Sequence, residues 1–121
     1  MSFGAADRLH RSAEFLRLQR KGVRVQTGHF VLYAGDFGGA EERNRLGVTV
    51  SRRIGSAVVR NRVKRRVREC FRLSLRERLP SGVSMVVIAL GGAGEMPSPA
   101  INAELVTGTV NLVSKLGSKR R

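Results

Sequence analysis

The chain has no tryptophan, one tyrosine, one cysteine and three prolines in 121 residues, and nine acids against 23 lysines and arginines. Each shortage excludes something. A lone Cys70 leaves no intramolecular disulfide and no cysteine set for zinc. No apolar run approaches the ~18 residues of a membrane span. Residues 1–11 carry Asp7, Arg8 and Arg11 and lack the apolar stretch of a secretory signal. Both features predict a cytoplasmic protein. The acids show no paired spacing of the kind a protein nuclease needs, and a carboxylate-held Mg²⁺ would sit badly in so positive a field. His10 and His29 stand far apart with no companion acid pattern, so neither suggests a metal or catalytic site. Cys70 is expected to pack in the core.

What the chain has in excess is arginine. The net charge is +14, and 19 of the 23 cations are Arg. An isolated domain so charged repels itself unless a polyanion neutralises it. The planar guanidinium fork binds phosphate bidentately and stacks on bases, which favours nucleic acid over a membrane surface as partner. Disorder is excluded by the 41% hydrophobic content, which falls in ordered patterns. The length suits one compact domain.

The pattern predicts an α+β domain in the order α-β-β-β-α-β-α. Residues 1–8 read as a flexible leader, 9–117 as the domain and 118–121 as a basic tail. A short helix is expected from an N-cap at Ser12 to Gly22. Two strands around Thr27-Gly28 follow within residues 23–35. Arg45 to Arg52 alternates, with Leu46, Val48 and Val50 inward and Gly47, Thr49 and Ser51 outward. A long helix opens at Gly55-Ser56 and runs to about Ser74 or Arg78. Ser84 to Leu90 reads as a buried strand and residues 91–97 as a loop. A last helix has Ser98 as N-cap, Pro99 at its first position and Gly117 as its stop.

The long helix carries the strongest signal. Eight cations and no acid lie between Arg52 and Arg68. On a helical wheel Val59, Val63, Val67, Cys70 and Phe71 form a stripe about 120° wide. Asn61, Lys64, Arg65, Arg68 and Arg72 gather opposite. Arg60 and Arg66 sit on the borders, where stems pack while the heads stay wet. Leu75 and Leu79 miss the stripe, so the helix is expected to end, bend or meet another element near Leu73. A merely solvated face usually interleaves charges, and like pairs such as Arg60/Lys64 and Lys64/Arg68 each cost ~0.2–0.5 kcal/mol. Occupancy by phosphates resolves that cost. Contact with roughly six to eight phosphates predicts a slope of log K against log salt on the order of −4 to −7. That attraction is blind to sequence, so a structural ribosomal-RNA binder and a DNA binder remain open on charge alone.

The contiguous run from Arg45 to Glu69, with Arg60-Asn61-Arg62 followed by Lys64-Arg65, resembles the signature of the bacterial ribonuclease P protein subunit. The likeness extends to Arg8-Leu9, Ser12, Phe15, Gly22, Phe30-Val31-Leu32-Tyr33 and Met85 to Ala89, covering about residues 8–116. It implies a fold like domain 2 of ribosomal protein S5, with a left-handed β-α-β crossover. It also implies that this protein is no catalyst. An RNA subunit with bound Mg²⁺ cleaves precursor tRNA to release the 5′ leader, and the protein binds no cofactor itself. The partners implied are the ribonuclease P RNA, one protein per RNA, and precursor tRNA.

On this resemblance Arg60, Asn61, Arg62, Lys64, Arg65 and Arg68 bind the RNA subunit. A cleft between the first helix and the sheet holds the single-stranded leader. Phe15 and Tyr33 would supply stacking platforms, and Arg52 and Arg53 meet phosphates. Without the family, Phe15 reads equally as a core anchor. Gln19 stands where the family often has a second aromatic one turn after Phe15; it can hydrogen-bond a base edge but stacks poorly.

Overall fold

A computed structural model describes residues 22–36 and 44–119. Strands β1 (Val23–Gln26) and β2 (Phe30–Asp36) form an antiparallel hairpin, pairing Val23 with Ala34 and Gln26 with Val31. The turn between them closes on the Thr27 N–H, which donates to the Phe30 carbonyl at 2.8 Å. Strand β3 (Leu46–Thr49) leads into a 3-10 turn at Arg52–Ile54 and then helix α1 (Ala57–Cys70). Strand β4 (Val83–Ala89) returns to the sheet centre, and helix α2 (Ser98–Lys119) closes the described chain.

The sheet order is β1-β2-β4-β3. β4 lies antiparallel to β2 and parallel to β3, so β3-α1-β4 is a crossover unit within a mixed sheet. That is the α+β arrangement expected. The helix expected from Ser12, with Phe15 and Gln19, lies outside the described residues. β4 is buried along nearly its whole length, as its unbroken apolar run Val83–Ala89 requires of a central strand.

One side of the sheet meets the helices. Phe30, Leu32, Leu46, Met85 and Val87 pack there against Val63, Val67 and Phe71 of the α1 rod and Ile101, Leu105, Leu112 and Leu116 of α2. Ile101, Leu105, Leu112 and Leu116 recur at helical spacing and form the buried face of α2. Its one gap falls at Gly108, where a Cβ would stand 2.4 Å from Leu32 Cδ1 and 3.0 Å from Thr27 Cγ2. Glycine here lets the helix axis approach β2.

Near Leu73, where the sequence predicts an end, a bend or another element, the rod that opens at Ala57 passes through one π-helical turn, Phe71–Leu75, and a 3-10 turn, Arg76–Arg78. A turn closed by i→i+5 bonds holds more residues per revolution, so the side chains beyond it rotate backwards around the axis. Leu75 and Leu79, off the stripe on an ideal wheel, are thereby buried. The N-cap of α2 lies one residue early, because the Pro97 carbonyl, not that of Ser98, accepts from the Ile101 N–H. Gly117 does not stop α2, which continues to Lys119; the ~1 kcal/mol cost of a helical glycine is too small to break a helix anchored by Leu116.

Candidate nucleic-acid interface

Helix α1 begins on Ser56, whose Oγ accepts from the Val59 N–H at 3.3 Å. Val63, Val67 and Cys70 turn inward, and that registry sets the cations outward. Asn61 and Arg65 are exposed, while Arg60, Arg62, Lys64 and Arg68 are half-buried. Arg52 and Arg53 stand exposed in the 3-10 turn between β3 and α1. The structure thus brings the predicted cations together along one helix and the turn that precedes it. Among the described residues, Arg52, Arg53, Arg60, Lys64 and Arg65 make no ion pair.

Two arginines differ from the rest. Arg62 donates from Nη2 to the Gly94 carbonyl at 3.2 Å, and Arg66 from Nη1 to the Met96 carbonyl at 2.8 Å. The Arg66 head is therefore not simply wet, as its border position suggested. Both tie α1 to the segment before α2. Gly94 makes the tie possible, since a Cβ there would lie 2.7 Å from Val59 Cγ1. Val59 itself is only half-buried and lines a cleft of about 420 Å³ between α1 and this segment. No sequence pattern marks these bonds, because their acceptors are main-chain carbonyls 30 and 32 residues away.

Tyr33 occupies the other side of the sheet. It pairs with Arg24 on one neighbour and Val86 on the other, and Val86 pairs in turn with Gly47. Directly paired residues share a face, so Arg24, Tyr33, Val86 and Gly47 form one row. Thr49 and Ile88 belong to the next. Gly47 and Thr49, expected outward, therefore lie on the same face as Tyr33; Gly47 is buried, Tyr33 half-buried and Thr49 exposed. Phe15 and Gln19, expected to complete that site, lie outside the described residues.

Sequence reasoning missed the partner of His29. Its Nδ1 lies 2.9 Å from Glu104 Oε1, while Glu104 Oε2 accepts from the His29 N–H at 2.8 Å and the Thr27 hydroxyl at 2.6 Å. Burial pushes the Glu104 carboxyl up, but the hydrogen bonds from His29 and Thr27 outweigh it and hold the group below the ordinary carboxylate range. This cluster pins the β1–β2 turn to α2. Its acid is 75 residues distant from the histidine, so no local pattern announces it. Cys70 is buried, and burial raises its thiol to about 11, as befits a packing residue. Among the described residues no three His, Cys, Asp or Glu side chains group together as a metal site, and no helix is long and apolar enough to cross a membrane.

Comparison with known proteins gives this arrangement a context. The family model for Ribonuclease P matches residues 3–113. A ribonuclease P protein component from Desulfatibacillum aliphaticivorans is 41% identical over 105 residues, 86% of each chain. The structure of Staphylococcus aureus RNase P protein superposes with a TM-score of 0.79 at 30% identity, covering 88% of this chain and 96% of that one. The RNase P protein from Thermotoga maritima gives 0.71 at 30% identity, covering 89% and 96%. With the family model spanning nearly the whole sequence and the fold shared, this chain belongs to the ribonuclease P protein component family.

Proposed function

We propose that this chain is the RNA-binding subunit of a ribonuclease P, one copy per RNA, in which the RNA with its Mg²⁺ performs the cleavage that matures the 5′ end of tRNA. The observation that carries this reading is the group Arg60, Lys64 and Arg65 on α1, together with Arg52 and Arg53 before it. These cations make no ion pair among the described residues, although like charges one turn apart repel. Phosphates of the RNA subunit would neutralise them, with Arg62, Arg68 and the exposed Asn61 amide adding hydrogen bonds. The family membership selects which RNA.

The 5′ leader of precursor tRNA is assigned to the other side of the sheet. Tyr33 would stack an unpaired base, worth ~1–3 kcal/mol. Thr49, exposed at the end of β3, would let a nucleic-acid backbone approach, and Arg52 and Arg53 follow it to meet phosphates. Phe15 and Gln19 belong to the same assignment by resemblance. Mature tRNA lacks the leader, so these contacts favour precursor over product. Added positive charge also screens phosphate repulsion, so less Mg²⁺ is required.

The test is reconstitution. Added to a bacterial ribonuclease P RNA at low Mg²⁺, the chain is expected to restore 5′ processing, and a ribosomal protein of equal charge is not. Cleavage by the chain without RNA would contradict the assignment.

A further inference from the structure

The cleft beside α1 adjoins the surface assigned to the RNA subunit and shares Arg62 with it. Ile54, Val59, Met96 and Pro97 give it apolar walls, and Arg62 and Arg66 give it donors. Its volume of about 420 Å³ falls within the range of about 300–1,000 Å³ common for small-ligand sites. Both guanidinium groups are held by main-chain carbonyls, so their positions are set before any ligand arrives. The larger cleft of about 590 Å³ between β1 and α2 offers a contrast. Among the described residues Glu104 is its one charged lining residue and no cation lines it. A polyanion is repelled there and attracted here.

We infer that the cleft bounded by Val59, Arg62, Arg66 and Met96 receives one unstacked nucleobase of the RNA whose phosphates lie along α1. The inference rests on the reading of α1 as an RNA-binding helix and adds a base-recognition site to it. Apolar walls suit the faces of a base and have no use for a phosphate alone. Guanidinium groups stack on bases and donate to their edge acceptors. Glu95, exposed at the rim, can accept from an exocyclic amine. Phosphate contacts on α1 supply affinity without sequence information, and a base in this cleft would fix the register of the helix on its RNA.

The experiment uses the full chain and a bacterial ribonuclease P RNA. Cys70 is the one cysteine of the chain and is buried, so Glu95→Cys provides a selectively reactive thiol at the rim for an aryl azide. Circular dichroism checks that the labelled chain is folded. Photolysis of the complex is expected to mark one or two unpaired nucleotides. Replacing the marked nucleotide by an abasic residue is then expected to weaken binding by wild-type chain roughly tenfold, with the salt slope unchanged because no phosphate is lost. In the labelled chain, Arg66→Met is expected to diminish the same crosslink.

Crosslinks confined to duplex would overturn the inference, as would an abasic RNA that binds as tightly as the intact one. Suppression of the crosslink by adenosine monophosphate, with the chain still bound to RNA, would reassign the cleft to a free nucleotide, and suppression by polyglutamate under the same condition to an acidic protein. Either result overturns an RNA nucleobase as occupant. Failure of the chain to bind the RNA at all removes the reading of α1 itself. Binding that persists with its full salt slope, while abasic replacement has no effect, removes only the base site.

Discussion

The helical rod from Ala57 to Arg78 carries cations along its whole length, yet its two halves treat them differently. In the first, Arg60, Lys64 and Arg65 have no ion pair among the described residues, and Arg62 and Arg66 rest on neutral carbonyls. In the second, Arg72 is bonded to Glu69, whose carboxyl that hydrogen bond holds below its usual range. Arg76 lies 5.1 Å from the centre of the Phe71 ring. The second half also contains the π turn that carries Leu75 and Leu79 into the core. In the second half Arg72 is compensated within the chain beside residues that build the fold, although Arg78 makes no ion pair among the described residues. In the first half Val63 and Val67 face the core while Arg60, Lys64 and Arg65 stay uncompensated, and there an outside anion would offset them.

Substitutions should separate the halves. Leu75→Ala, in the second, removes a fully buried side chain and is expected to lower unfolding free energy by about 2–5 kcal/mol in urea titration. The folded fraction should keep the wild-type salt slope for RNA; a changed slope would show that the halves are not independent. Glu104→Gln tests whether stability is also held far from the cations. It is expected to cost roughly 1–3 kcal/mol at neutral pH, through the bonds to Thr27 and His29. Because the folded carboxyl titrates below its ordinary value of 4.5, its contribution is complete above that pH and is lost as pH falls through the folded value. The gap between wild type and variant should therefore close in acid, and a gap constant with pH would refute the charged clamp.

Arg65→Ala, in the first half, is expected to leave the urea midpoint alone and to make the salt slope shallower by about 0.7–0.9. The smallest effect is expected from Glu69→Gln, which removes the charge compensating Arg72. RNA affinity should rise slightly and the slope steepen, moving the second half towards the first. An unchanged slope would mean that Glu69 is not what silences Arg72.

Much of this division was legible from residue order. The stripe Val63, Val67, Cys70 and Phe71 predicted the buried side of α1 because a regular helix repeats every 3.6 residues. Leu75 and Leu79 fall off that stripe, which marks a change of helix near Leu73; the π turn that makes it, by changing the repeat, is visible only in the structure. The two strands within residues 23–35 and the alternation of Leu46, Val48 and Val50 were readable for a similar local reason. The Glu104 clamp and the carbonyl partners of Arg62 and Arg66 were not, since each joins segments 30 to 77 residues apart. Nor was the row joining Tyr33 to Gly47, which exists only once β4 lies between their strands.

The most direct measurement is the salt dependence of binding to a bacterial ribonuclease P RNA, taken on three folded chains. One is wild type, one carries Gln at Arg60, Lys64 and Arg65, and one carries Gln at Arg72, Arg76 and Arg78. Wild type is expected to show a slope on the order of −4 to −7, the first variant to lose about two units of it, and the second to keep it. Equal losses in both variants, or a loss confined to the second, would contradict the assignment of RNA to the first half of the rod.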